Sequence, residues 1–364
     1  MKGQFFRKLA ANLFLVIGGT LAGLLLAEIT LVLFYPQKVG VTGALVNFFV
    51  QYDPDLGWVN RKGASGKLNP PDDRLPSTQI KINDEGFRGR ELPLPKPKGI
   101  KRILVLGDSN AFGYGVNEEE RFSNLLEKQL VGYETVNLGV FGYGTDQEAI
   151  LLEREGLRFS PDLVILAFIP GDLTDNMSSI HSGVSKPYCS LENSRIKLNN
   201  VPVPRPGERT MVRRGSRIRE TLYRHSHLYR LVAQRFNESR IFMSDSVFEM
   251  SKDEGLRVTV SILEGMNRVC RENGSRFVVL LLSHGAWIDA LGRNQAEVGY
   301  YPVLTRMLAG RGITFIDTTE KFVDEFRKGN KLFFDRDPVH LNAAGNRVTA
   351  EILHEGLLRF RLLP

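Results

Sequence analysis

Ser109 stands in the stretch RILVLGDSNAFGYGV, residues 102–116, where the apolar run Ile103–Leu106 breaks into Gly107-Asp108-Ser109. Far along the chain, DRDPVHLNAAGN carries Asp337 and His340 three residues apart. A serine hydroxyl is a poor nucleophile until a neighbouring base takes its proton, and histidine titrates in the range where it can do so. The imidazole in turn needs a carboxylate that fixes its tautomer and stabilises the imidazolium. Asp337 and His340, so closely spaced in a turn, can meet that need locally. Glycines near a serine let backbone N–H groups approach a developing oxyanion. Gly107, Gly113 and Gly115 flank Ser109, and NLGVFGYG, residues 137–144, adds more. Singly, each feature is ordinary: a Gly-Asp-Ser turn or N-cap, a tight glycine turn, a surface Asp/His pair. Jointly, and in this chain order, they point to a Ser-His-Asp triad.

The surrounding elements must bring these residues to one place. Ile103–Leu106, ETVNL, DLVILAF (Asp162–Phe168), RFVVLLL and ITFID read as short apolar strands. Between them, RFSNLLEKQLV, TDQEAILLEREGLRF (N-capped by Thr145 or Asp146), DEGLRVTVSILEGMNRVCREN, a segment around Tyr301–Ala309 and the stretch from about Ala343 to Phe360 read as helices. Strands alternating with helices of this length predict a parallel sheet covered on both faces, a three-layer α/β/α sandwich. Ligands of such a sheet bind outside the carboxyl ends of its strands. Ser109, the glycines of 137–144 and the stretch IPGDLTDN, residues 169–176, all follow strands. The interruption from about Asp172 to Ser251 is too long for an ordinary connection and predicts an inserted, partly helical cap.

The N-terminus has a different composition. Lys2, Arg7 and Lys8 precede LAANLFLVIGGTLAGLLLA, Leu9 to Ala27, about 28 Å of helix and close to the roughly 30 Å of a bilayer core. This predicts an uncleaved single-pass anchor over residues 1–35, with the N-terminus cytoplasmic and the remainder periplasmic or extracellular. Glu28, costly in hydrocarbon, is expected near the far interface or against a partner helix. Residues 36–100, rich in Pro, Gly, Asp and Lys, predict an extended connector, with a short strand and turn in STQIKINDEGFRG. Cys189 and Cys270 read as unrelated thiols. No phosphate-loop or dinucleotide fingerprint, no Gly-x-Ser-x-Gly elbow and no metal-ligand cluster is present in the sequence.

The motifs together resemble the SGNH, or GDSL, hydrolase superfamily over roughly residues 101–357. GDSNAFGYG resembles its first block, VNLGVFGYGTDQE its second and DPVHLNAAG its last. The resemblance implies a flavodoxin-like fold and a cofactor-free, serine-dependent carboxylic ester hydrolase. Ser109 would be the nucleophile, Asp337 and His340 the rest of the triad, and the N–H groups of Ser109 and Gly142 would enter the oxyanion hole. The third block departs. The family's Gly-Asn-Asp supplies an asparagine donor, whereas this chain reads Pro170-Gly171-Asp172. Either Gly171 occupies the asparagine's place, or the loop is re-registered and Asn176 folds back as a substitute. Loss of one such donor costs about 10²- to 10³-fold in rate. The anchor and NDEGFRG are similar to membrane-anchored bacterial members linked to cell-surface polysaccharides. The expected activity is removal of an acyl group, acetyl among the candidates, from a glycan or lipid. The alternatives are acyl transfer by the same triad in surface-polysaccharide modification, and a catalytically impaired glycan-binding domain.

The net charge of +7 is concentrated between Arg205 and Arg240, where ten arginines stand with three acids and no lysine. Because the rest of the chain is balanced, nucleic-acid binding is not expected. Guanidinium offers a bidentate fork for carboxylate and phosphate, so an anionic polymer or lipid is the expected partner of this basic cap. The detergent-solubilised chain should bind acidic but not neutral polysaccharide, or anionic but not neutral lipid nanodiscs. That binding should weaken as salt rises, and equal retention on all of them would reduce the arginines to surface charge.

Overall fold

A computed structural model describes residues 2–35, 49–68, 75–181, 184–193, 195–205, 226–229, 231–232, 245–294 and 301–363. Most of the arginine-rich window therefore lies outside the described residues. The chain forms two compact units, one from residues 1–44 and 209–247, the other from residues 45–208 and 248–364.

In the first unit, helix α1 (Lys2–Phe34) contains a stretch, Phe14–Phe34, long and apolar enough to cross a membrane. Its polar side chains are accommodated locally. Thr20 and Thr30 each donate to the carbonyl four residues back, at 2.8 Å. The Glu28 carboxylate accepts from Ser226 Oγ at 2.8 Å and from the backbone N–H groups of His227 and Leu228. Its partner is thus the start of another helical segment, since residues 227–229 are helical, which is one of the two placements expected from the sequence.

The second unit is built on five parallel strands: β1 (Lys101–Gly107), β2 (Tyr133–Asn137), β3 (Leu163–Phe168), β4 (Arg276–Leu281) and β5 (Thr314–Asp317). Their spatial order is β5-β4-β3-β1-β2, with Leu104 opposite both Val136 and Val164. The strands are apolar on both faces because helices cover both. Leu104, Leu106, Val164, Leu166, Val279 and Leu281 pack on one side with Leu151 of α4 (Thr145–Leu151), Leu256 and Leu263 of α6 (Asp245–Glu272), and Leu304 of α8 (Tyr301–Gly310). Ile103, Val105, Ile165, Val278 and Leu280 face Phe122 and Leu126 of α3 (Phe122–Gln129), Ile288 of α7 (Gly285–Gly292), Phe322 of α9 (Thr319–Arg327), and Leu353 of α10 (Ala343–Arg359). This is the three-layer sandwich that the alternation of elements predicts. The chain leaves β1 for β2 on one side and β3 lies on the other, so the switch point falls at the end of β1, where Ser109 follows.

Residues 49–92 depart from the extended connector expected of them. Val50–Asp53 pairs with Gly57–Asn60, and Ser65–Leu68 pairs with Thr78–Lys81. Phe49, Leu68, Ile80 and Ile82 form an apolar cluster with Phe112 and Tyr114. Strands of four residues are too short to stand out as a period against a Pro- and Gly-rich background, which is why the sequence reads as a tether. The first part of the expected cap also differs, forming the hairpins Ile180–His181/Val184–Ser185 and Tyr188–Glu192/Arg195–Asn199. Cys189 and Cys270 are free and buried, and burial pushes both thiols up to about 12.

Arg88, fully buried, joins this leading segment to the sheet. Its guanidinium donates to the carbonyls of Phe112, Gly113 and Val116 beyond Ser109, and to that of Gln79. Burial lowers it to about 9, still charged at neutral pH. Arg88→Met is expected to destabilise the protein by roughly 3 kcal/mol or more, because several buried carbonyls lose their donor together. Urea unfolding of the two proteins measures this, and an unchanged midpoint would refute it.

Candidate active site

Strand β1 ends at Gly107, whose φ of +153° and close neighbours exclude a side chain: a Cβ there would lie 2.7 Å from Ala111 Cβ and 3.0 Å from Ala167 Cβ. The chain then turns at once into the short helix α2 (Ser109–Phe112), with Asp108 Oδ1 capping the N–H of Asn110 at 2.9 Å. Ser109 is thereby the first residue of a helix, where backbone N–H groups have no intrahelical acceptor.

The last part of the chain brings the other predicted residues to it. Asp337–Leu341 forms a strand paired with Phe333–Phe334, and Leu341 N–H donates to Asn110 Oδ1 at 3.1 Å, tying this strand to α2. His340 Nε2 lies 2.9 Å from Ser109 Oγ, and His340 Nδ1 lies 2.8 Å from Asp337 Oδ2. The other Asp337 oxygen accepts from the backbone N–H groups of Val339 and His340. Burial alone would raise the Asp337 carboxyl, but the His340 ring and these N–H groups hold it below its usual range. An imidazole between an anionic carboxylate and a serine hydroxyl can take the hydroxyl proton and later hand it on. Tyr114 packs edge-on against the His340 ring, with centroids 4.9 Å apart, and meets Phe141 on its other side.

Gly142 sits in the turn after β2 with φ +74°, beside Phe141, whose carbonyl accepts from the Trp58 indole at 2.9 Å. The third block is placed differently from expectation. Gly171 is an exposed turn residue whose carbonyl accepts from Thr174 and Asp175. Asp172 points inward and accepts from Thr145 Oγ1 at 3.1 Å. Asn176, the expected substitute donor, is fully buried: its amide donates to Thr259 Oγ1 at 2.9 Å and its carbonyl accepts from Asp146 N–H at 3.0 Å. It braces α4 against α6, so the expectation that it turns to the oxyanion is corrected.

Two histidines at this edge escaped the sequence reading. His284 follows β4 and lies close enough to feel the charges of Asp337 and His340; burial holds it below its ordinary value. His181, in the first hairpin of the insertion, places Nδ1 3.1 Å from Asp175 Oδ2. The available signal was a histidine after an apolar strand in the first case and an Asp six residues before a His in the second.

Residues 105–348 match the GDSL-like lipase/acylhydrolase family. The chain belongs to that family. Solved structures similar to this acylhydrolase include an acetyl xylan esterase, AlAXEase (14% identity, 70% of this chain and 99% of that one, TM-score 0.42). TesA is similar at 15% identity, covering 71% of this chain and 98% of its own (TM-score 0.38). A GDSL-like lipase from Bacteroides thetaiotaomicron is similar at 12% identity, covering 74% and 93% (TM-score 0.39). No curated protein sequence matches the chain.

Beneath the strand ends of the acylhydrolase lies a group of buried acids. Asp146 is paired with the fully buried Lys186, whose ammonium also donates to the Asp175 carbonyl at 2.9 Å. Burial lifts Asp146 to about 6 although Lys186 pulls it down. Glu148 is fully buried and meets no donor among the described residues. Burial, and then the charges of Asp172 and Asp108, push it well above the carboxylate range. Asp172 is raised likewise, by burial and then by Asp108. Both carboxyls hold protons in the fold that they release on unfolding above about pH 4. Their contribution to stability is therefore fully present below that pH and is lost as pH rises. Glu148→Gln, isosteric with the protonated acid, should raise the melting temperature at pH 8 by on the order of 3 °C and raise it less at pH 4. An equal shift at both pH values would contradict the assignment.

Proposed function

We propose that this GDSL-type hydrolase cleaves acyl esters by a Ser109-His340-Asp337 triad, and that its substrate is an acylated glycan or lipid outside the cytoplasm. The observation that carries the reading is the continuous relay from Ser109 Oγ through His340 to Asp337, at 2.9 and 2.8 Å. Ser109 Oγ attacks the ester carbonyl carbon while its proton passes to His340 Nε2, and the carbonyl electron pair moves onto oxygen. The tetrahedral centre is held by N–H donors of Ser109 and Gly142. It collapses with cleavage of the bond to the alcohol oxygen, which takes the proton from His340. Water then repeats the sequence on the acyl-enzyme, giving the carboxylic acid and free Ser109. Asp337, kept anionic by its hydrogen bonds, stabilises the imidazolium at both stages.

Extracytoplasmic placement is supported by the apolar stretch Phe14–Phe34 and by Lys2, Arg7 and Lys8 before it. A glycan acyl ester is in keeping with the acetyl xylan esterase among the similar structures, and a lipid ester with the anchor.

The purified full-length chain in detergent should hydrolyse members of a panel of acetyl and longer acyl esters. Ser109→Ala should lower kcat by about 10⁴-fold or more. A fluorophosphonate should label Ser109 and should cease to do so in His340→Ala. Wild-type turnover by Ser109→Ala would refute the triad.

A further inference from the structure

The imidazole of His181 stands against the glycine expected to line the oxyanion site. Its ring tilts along Trp58, with centroids 6.3 Å apart. Its Nε2–Cδ2 edge faces Gly142: a Cβ built on that glycine would lie 3.1 Å from both atoms. Behind the ring, Asp175 Oδ2 takes Nδ1 at 3.1 Å, and both side chains are about one quarter exposed, open to a substrate. Asp108, directly before Ser109, lies within the electrostatic reach of both His181 and His340. The third block supplies no side-chain donor here. Gly171 has none to offer, and the Asn176 amide is committed to Thr259.

We propose that His181, as an imidazolium oriented by Asp175, donates from Nε2 to the carbonyl oxygen of the ester and replaces the missing asparagine of the oxyanion hole. The inference rests on Ser109 being the nucleophile. Because Nδ1–H is directed at Asp175, a neutral ring would present a lone pair at Nε2, which cannot donate. The charged ring presents N–H at both positions. A charged donor makes a hydrogen bond roughly twice as strong as a neutral one, and it acts where negative charge develops. No proton is transferred: the Ser109 proton goes to His340, and His181 only lends its N–H.

The two imidazoles thus have different tasks, His340 taking the Ser109 proton and His181 lending an N–H. The groups facing His181 are Asp175 from α5 (Asp172–Asp175) and the uncharged Trp58 and Gly142. Asp108 adds attraction at longer range, and Lys186, whose ammonium binds the Asp175 carbonyl, opposes the charge.

The test compares full-length wild type with Ser109→Ala, His181→Ala, His181→Gln and Asp175→Asn on p-nitrophenyl acetate. His181→Ala should lower kcat by about 10²-fold with KM changed less than about twofold. His181→Gln, whose amide also donates, should recover about tenfold over the alanine variant. Asp175→Asn should lower kcat as well, since the ring loses the carboxylate that orients it. Wild-type kcat in His181→Ala, with Ser109→Ala inactive, overturns this inference alone. A glutamine variant no better than alanine overturns it as well. Turnover retained by Ser109→Ala overturns both this inference and the nucleophile assignment.

Discussion

At the end of β1 two backbones come closer than side chains permit. Gly107 leaves no room beside Ala111 and Ala167, and at Gly139, on the turn after β2, a Cβ would lie 2.4 Å from the Phe112 N. The short Ser109 helix is thereby wedged between the end of β3 and the turn that follows β2. Its position is set by backbone contact, the least compressible kind available in a protein interior. Everything chemical at this edge is referred to that wedge. Asn110 anchors the Asp337–Leu341 strand through Leu341 N–H, and that strand carries His340. A relay whose parts come from residues 109, 337 and 340 needs such a rigid datum, since hydrogen bonds of 2.8–2.9 Å tolerate little drift.

Below the wedge the electrostatics run against ordinary expectation. Glu148 and Asp172 are both raised by burial and then by nearby carboxylate charge, and Lys186 is spent on Asp146. Crowded carboxyls in a dry interior keep protons when they cannot share a counter-charge. Asp337, above them, keeps its charge because the neighbouring backbone and His340 supply donors. Carboxyls at one edge of one sheet are thus sorted into neutral and anionic by what surrounds each of them.

The sheet was legible because β1, β3 and β4 carry apolar runs on both faces and the helices between them repeat their apolar positions, signals that survive without any neighbour. Ser109, Asp337 and His340 were legible because motif and chain order together restrict where they fall. His181 and His284 were not, since each matters through what lies opposite it across the fold, and spacing carries no such information. Asn176 was misread for a related reason. A polar side chain four residues beyond a turn is equally placed to reach a ligand or to brace two helices, and the choice is made by Thr259 and Asp146, distant in sequence. Residues 49–92 were read as a tether because strands of four residues leave no clear period in the sequence.

Trp58 belongs to that segment and does three things at once. Its indole N–H holds the Phe141 carbonyl, its own carbonyl accepts from the Tyr143 hydroxyl, and its ring flanks His181. One residue therefore serves both the integrity of the turn after β2 and the lining of the site. A substitution chosen to widen that lining also takes the indole donor from the Phe141 carbonyl. Relatives that diverge in what they accept are then under pressure to exchange the leading segment as a block, because single changes within it draw on the margin that keeps the domain folded.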